Sequence, residues 1–256
     1  MIDSRAVIHP RAELASDVEV GPYTVIGPDV IIGEGCWIGP HAVINGPTRI
    51  GRQNKIFQFA SVGEIPQDKK FNGEATLLEI GDGNVIREFC TINRGTVQGG
   101  GTTRIGDDNW IMSYVHIAHD CQIGSHTVIA NTVSLAGHVI IEDYVILGGF
   151  SKVHQFCTLG AHCFTAFDSG IAKDVPPYVM VSGYSAAPHG LNVEGLRRRG
   201  FGAETIAHLR RAYKIIYRSN LTVKEAIEQL KEMIAVCPEV ELMVTCLENS
   251  ERGIVR

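Results

Sequence analysis

Residues 105–159 read IGDDNWIMSYVHIAHDCQIGSHTVIANTVSLAGHVIIEDYVILGGFSKVHQFCTL. Every sixth position in this stretch is aliphatic: Ile105, Ile111, Ile117, Ile123, Ile129, Leu135, Ile141, Leu147, Val153 and Leu159. A period of six fits neither an amphipathic helix nor a single half-buried strand. It fits a β-helix, in which three short strands close one triangular turn and each turn buries its aliphatic residues against the turns above and below. HIAHDCQIG (116–124) and LAGHVII (135–141) lie on the same lattice, so His116, His119, Asp120, Gly137 and His138 are carried by a rigid coil rather than a free loop.

Outward from this stretch, the hexad starts at Ile8 and runs through Leu14, Val20, Ile26, Ile32, Ile38, Ile44, Ile50, Ile56 and Val62. It resumes at Ile80, Ile86 and Ile92 before reaching Ile105. A glycine often follows the aliphatic residue (Gly21, Gly33, Gly51, Gly81, Gly106), and a corner between short strands is expected to use its freedom of φ. Two stretches break the pattern: 63–79 (GEIPQDKKFNGEATLLE) and 93–104 (NRGTVQGGGTTR). Insertions in a solenoid emerge as loops on one face, either as plain surface excursions or as binding elements. Asp68, Lys69 and Lys70 favour binding for the first.

The hexad fails at Thr165, and Pro176–Pro177 are expected to close the coil, because proline cannot donate to a ladder. From about Asn192 the spacing becomes helical, as in Ile206, Leu209, Tyr213 and Ile216. Thr222 and Glu225 form a capping box ahead of a second helical run, and Pro238 suits the first turn of a last helix. The expected division is a β-helix over 1–188, with loops 63–79 and 93–104, and a helical segment over 189–256.

Composition narrows the function. Of 256 residues, 45% are hydrophobic and only 7% aromatic, which suits aliphatic rungs. A net charge of −5 gives no support to nucleic-acid or membrane-surface binding in general. The one basic island is Arg197, Arg198, Arg199, Arg210, Arg211, Lys214 and Arg218, readable as a phosphate or acidic-partner site or as a solvated helix face. The 7 cysteines include no C-x-x-C and read as reduced, buried residues of a cytoplasmic protein. No signal peptide is expected at MIDSRAVIHP, and no apolar run is long enough to span a membrane.

His119 and His138 are one turn plus one residue apart, on nearly the same face, and Asp120 follows His119 directly. A corner between strands can bring His119 and Asp120 together, and a carboxylate-held imidazole is a serviceable general base. The same histidine could instead be structural, and His116, His119 and His138 could be tried as zinc ligands, although no cysteine or glutamate spacing reinforces a metal.

IPQDKK (65–70), TVQGGG (96–101), HIAHD (116–120), LAGH (135–138), VHQFC (153–157), DVPPYV (174–179) and NVEGLRRRGF (192–201) together resemble the UDP-N-acetylglucosamine acyltransferase family of left-handed β-helix enzymes. The resemblance runs along essentially the whole chain. It implies transfer of a 3-hydroxyacyl chain from acyl carrier protein to the 3-hydroxyl of UDP-N-acetylglucosamine, the first acylation of lipid A synthesis. It implies His119 as general base, Asp120 as its orienting carboxylate, and the Gly137 N–H as oxyanion donor. Asp68, Lys70, His116, His138, His154 and Gln155 would line the sugar and acyl site. Asn192, Glu194, Arg198 and Arg199 would hold the nucleotide. Phe167 in TAFDSG stands where the family sets acyl length, and its bulk implies a chain shorter than fourteen carbons. Trimers with clefts between subunits are implied; a metal, a cofactor or a covalent acyl-enzyme is not. Asn93, Tyr184 and Ser185 depart from the family pattern.

Three other readings compete. An N-acyltransferase of the same fold would act on an amino-sugar nucleotide, but the related enzyme carries an extra N-terminal domain, for which a hexad beginning at Ile8 leaves no room. A zinc hydratase and a non-catalytic β-helix that presents a binding surface are the others.

Overall fold

The computed structural model describes residues 1–256. Between Val7 and Ile171 the chain is a succession of strands two to four residues long. Consecutive strands join three different sheets, of nine, eight and ten strands. Each strand pairs in parallel with the one a full turn later: Val7 with Val25, Glu13 with Ile31, Glu19 with Trp37. The result is a three-sided, left-handed parallel β-helix. The hexad aliphatics point inward and stack on their own kind, as in Ile26, Ile44, Val62, Ile92, Ile117, Leu135 and Val153, all at most 3% exposed. Burying each such side chain is worth about 1.5–3 kcal/mol. Thr165 holds the same inward position at 0% exposure, its hydroxyl 2.9 Å from Ser151 Oγ.

The corners differ from the expectation. Positive φ falls three residues before most of the aliphatics, at Tyr23, His41, Phe59, Phe89 and Tyr114 on one edge, Asp120 and His138 on the second, and His126, Tyr144 and His162 on the third, with φ of 58–65°. A non-glycine residue in this region costs about 1–2 kcal/mol. Ring stacking offsets part of that cost, since the ring centres of Phe59 and Phe89 lie 5.1 Å apart and those of Phe89 and Tyr114 4.9 Å apart. Of the glycines after the aliphatics only Gly63 has a positive φ, 78°; the others serve packing instead. A Cβ on Gly33 would meet Gly51 O at 2.7 Å, and one on Gly51 would meet Gly81 O at 2.7 Å. Successive turns approach too closely there for any side chain.

Both insertions leave the ladder in register, Ser61 pairing with Thr91 and Thr91 with His116. They are shorter than their irregular sequence suggests, because Ser61–Glu64, Leu77–Ile80 and Thr102–Ile105 are strands. The proline pair does not end the coil. Val179–Ser182 still pairs in parallel with Phe164–Thr165, and Ala187–Leu191 then turns back antiparallel to it, across the expected 188/189 division. Pro176 and Pro177 fit because they sit between strands.

Four helices follow: α1 (Val193–Arg198), α2 (Ala203–Arg218), α3 (Val223–Ile234) and α4 (Val240–Asn249). Asn192 caps α1, and the Thr222–Glu225 capping box opens α3. Pro238 lies just outside α4 rather than in its first turn. Buried Ile206, Leu209 and Ile216 of α2 and Met243 and Leu247 of α4 continue the apolar core of the coil. The chain end returns to the last turn, where Val255 N–H donates to Asp174 O.

Candidate active site

His119 and Asp120 stand at the corner between the strands His116–Ile117 and Gln122–Ile123. The left-handed backbone at Asp120 (φ 62°) turns its side chain toward that of His119. His119 Nδ1 is 2.7 Å from Asp120 Oδ2. Asp120 is enclosed, its side chain 1% exposed, while His119 at 16% keeps an opening to solvent. Repeat pairing places Gly137 one turn above His119 and His138 one turn above Asp120. His138 Nε2 lies 3.6 Å from Asp120 Oδ2, and its ring meets that of His119 edge-on at 5.2 Å and stacks on Phe156 at 4.5 Å.

Gly137 has no room for a side chain, since a Cβ would lie 2.6 Å from His119 Cε1. Its N–H is free of hydrogen bonds within the chain. His116 Nδ1 sits 2.7 Å from Thr91 Oγ1. Burial holds both His116 and His138 below the ordinary imidazole range, so both are neutral near pH 7. Asp68 arrives on the first excursion, near enough for its charge to act on His138. Its Oδ1 accepts the Lys70 N–H at 2.9 Å, while the Lys70 side chain extends into solvent. His154 and Gln155 lie exposed one turn above Ala136 and Gly137.

The basic island lies elsewhere. Asn192 Oδ1 accepts the Gly195 N–H at 3.1 Å, and its Nδ2 donates to His162 O. Arg198 is exposed and pairs with Glu194 at 3.1 Å. Arg199 is half-buried, its guanidinium 5.3 Å from the Tyr144 ring centre and 3.3 Å from His162 Nδ1. Burial and that guanidinium push His162 down to about 4, leaving it a neutral acceptor. Tyr144 and His162 belong to the edge entering the ten-stranded sheet, whereas His119 belongs to the edge entering the eight-stranded sheet. Within one chain the structure therefore brings together His119, Asp120, Gly137, His138, His116 and Asp68, and sets Asn192, Glu194, Arg198 and Arg199 apart. Phe167 stands on the edge entering the nine-stranded sheet, 70% exposed and 5.3 Å from the Phe150 ring.

Donor atoms of His119, Asp120 and His138 lie within 4.8 Å of one another. Asp120 thus replaces the His116 of the zinc set considered from sequence. Its Oδ2 already accepts the Thr96 hydroxyl and faces His119 Nδ1 at hydrogen-bond distance, a proton-linked pair. Sequence reasoning missed three threonines. Thr91 binds His116, Thr96 binds the Asp120 carboxylate, and Thr103 Oγ1 accepts the Asp120 N–H at 2.8 Å. The one available signal was the turn repeat, which puts Thr91 beneath His116 once the second insertion is subtracted.

Residues 174–255 match the family described as Udp N-acetylglucosamine O-acyltransferase, Domain 2, and residues 102–137 match the bacterial transferase hexapeptide repeat. The chain is 58% identical, over 100% of its length and 99% of the relative's, to an acyl-[acyl-carrier-protein]–UDP-N-acetylglucosamine O-acyltransferase of Thiobacillus denitrificans. A protein of that name from Halorhodospira halophila is 56% identical with the same coverage. The solved UDP-N-acetylglucosamine acyltransferase of Francisella novicida superposes with a TM-score of 0.98 at 45% identity, covering 100% of this chain and 94% of that one. A repeat lattice shared end to end at this identity leaves one assignment: the chain belongs to the acyl-[acyl-carrier-protein]–UDP-N-acetylglucosamine O-acyltransferase family.

Proposed function

We propose that this chain transfers a 3-hydroxyacyl group from acyl carrier protein to the 3-hydroxyl of UDP-N-acetylglucosamine, opening lipid A biosynthesis. The observation that carries the reading is the His119–Asp120 pair at 2.7 Å, with Gly137, whose N–H is unengaged, packed against the His119 ring. Asp120 holds Nδ1, so the other ring nitrogen takes the proton of the sugar hydroxyl. The oxygen attacks the thioester carbonyl, and the Gly137 N–H receives the negative charge that forms on the carbonyl oxygen. Collapse breaks the carbon–sulfur bond, and the departing thiolate recovers the proton from His119. The O-acyltransferase name carried by the relatives favours this over the N-acyl alternative.

The separation of the basic island from His119 supports a cleft shared between copies, a homotrimer in which one subunit supplies the base and its neighbour supplies Asn192, Glu194, Arg198 and Arg199. The forked guanidinium donors of Arg198 and Arg199 suit the diphosphate. His154, Gln155 and Lys70, all exposed around the catalytic edge, are available to the sugar and acyl groups. No helix is long and apolar enough to cross a membrane. Six buried free thiols fit a reducing cytoplasm.

Phe167 is proposed as the stop for the acyl tail. Nothing in the chain buries its ring, so the ring is available to fill the groove that a longer tail would occupy. Each methylene excluded from burial forfeits about 0.8 kcal/mol, so two separate chain lengths by roughly 15-fold. The test is transfer from C10, C12 and C14 3-hydroxyacyl carrier proteins, with the product mapped to oxygen or nitrogen. Wild type should prefer C10 or C12, and Phe167→Gly should shift the preference toward C14 by roughly 10- to 20-fold. An unchanged ratio in the glycine variant removes Phe167 from this role, and an N-linked product overturns the reaction. Arg198→Ala should raise the sugar-nucleotide KM roughly 10-fold with kcat little changed, as loss of one charge-assisted hydrogen bond requires.

A further inference from the structure

We propose that Thr96, on the second insertion, is a positioning residue for the reaction: it aims the Asp120 carboxylate and, through it, the His119 imidazole. The inference rests on the reading of His119 as the base. Thr96 N–H donates to Asp120 Oδ1 at 2.7 Å, and Thr96 Oγ1 lies 2.6 Å from Asp120 Oδ2. The direction of the second bond is fixed, because Oγ1 already accepts the Gly99 N–H at 3.2 Å and so turns its own proton to Asp120. Both carboxylate oxygens are tied, and the Asp120 N–H is tied to Thr103. The carboxylate therefore cannot rotate away from His119 Nδ1. Thr96 is 1% exposed and Asp120 4%, so water does not compete.

The glycines of TVQGGG divide by purpose. A Cβ on Gly99 would overlap the Asp120 carboxyl group, so the short 3₁₀ turn Val97–Gly99 rests directly on that carboxylate. Gly100 and Gly101 have space around them and instead supply φ of 89° and 83°, which brings the chain back to the strand at Thr102. A loop that only covered a corner would need neither the Gly99 contact nor two donors converging on one carboxylate. The insertion is a brace for the catalytic pair.

The test compares Thr96→Val, Thr96→Ser and His119→Ala in the transfer assay, with kcat and kcat/KM followed against pH. Thr96→Val keeps the shape and the N–H but removes the hydroxyl. Its kcat should fall on the order of 10- to 100-fold, the scale of a misplaced catalytic group, with KM for both substrates within about twofold. Oδ2 then carries more negative charge toward His119 and favours the imidazolium. The free base consequently appears only at higher pH, and the acid limb of kcat/KM moves up. The other ionisable groups facing the pair are His138, His116 and Asp68, and none of them loses a partner. Thr96→Ser should restore turnover to within about threefold and return the limb to its wild-type position. If the valine variant does not fold, Gly99→Ala should show the same fall and the same upward limb. Wild-type kcat in Thr96→Val beside an inactive His119→Ala overturns the brace alone. A serine variant as impaired as valine also overturns it. Full turnover in His119→Ala overturns the base and the brace together.

Discussion

Replacing His119 by alanine is expected to lower kcat by about 10²–10⁴-fold, the range that a positioned general base supplies. The fold should be untouched. His119 lies outside the buried apolar core and packs only at the edge, against Gly137 and the His138 ring. The thermal transition and the oligomeric state should therefore match wild type. Substrate KM values should change little, because a base that acts in the transition state adds little to ground-state binding. The loss should also persist in chelator-treated protein, which separates proton transfer from any metal held by His119, Asp120 and His138. Near-wild-type turnover of the variant would refute the assignment. His138, 3.6 Å from the same carboxylate, would then be the next candidate for the base.

The interior of the coil was legible because burial leaves a periodic mark: Ile105 to Leu159 point inward at every sixth place whatever the corners do. The corners left no such mark. Their left-handed positions are filled mostly by residues such as Asp120, His138, Tyr144 and Phe89, with glycine only at Gly35 and Gly83, so the conspicuous glycines after the aliphatics suggested a backbone role that belongs largely to other residues. The His119–Asp120 contact could be read because its members are adjacent in sequence and a corner was the one geometry able to join them. Thr91 and Thr96 could not be read that way. Each reaches its partner across an insertion that breaks the count of the turns, and threonine is chemically unremarkable on a strand. Of the residues read for the nucleotide, Arg198 and Arg199 stood out in the basic island, whereas Asn192 and Glu194 came from resemblance alone. Burial and hydrogen bonding to His162 single out Arg199 only once the helices are folded against the coil. The proline pair misled for a related reason: a ladder forbids proline within a strand, but the turn before Val179–Ser182 does not.

Gly137→Ala is the second large effect, and it acts through the same ring. The added Cβ would stand 2.6 Å from His119 Cε1 and 2.9 Å from Nε2. The imidazole cannot simply swing clear, since Asp120 holds its Nδ1 and the His138 ring closes one side. Either the ring leaves Asp120 or the corner carrying the Gly137 N–H lifts away from the oxyanion. A displacement of about 1 Å costs on the order of 10²-fold, and loss of an oxyanion donor costs about 10²–10³-fold. A fall of about 10²–10³-fold in kcat is therefore expected with the fold intact. A double-mutant cycle separates the two routes. If the methyl acts by moving the base, Gly137→Ala should cost almost nothing more once His119 is already alanine, because there is no ring left to displace. If it acts by lifting the N–H, the full factor should persist in the double variant. Wild-type turnover in the single variant would mean that the ring and the glycine do not meet during catalysis.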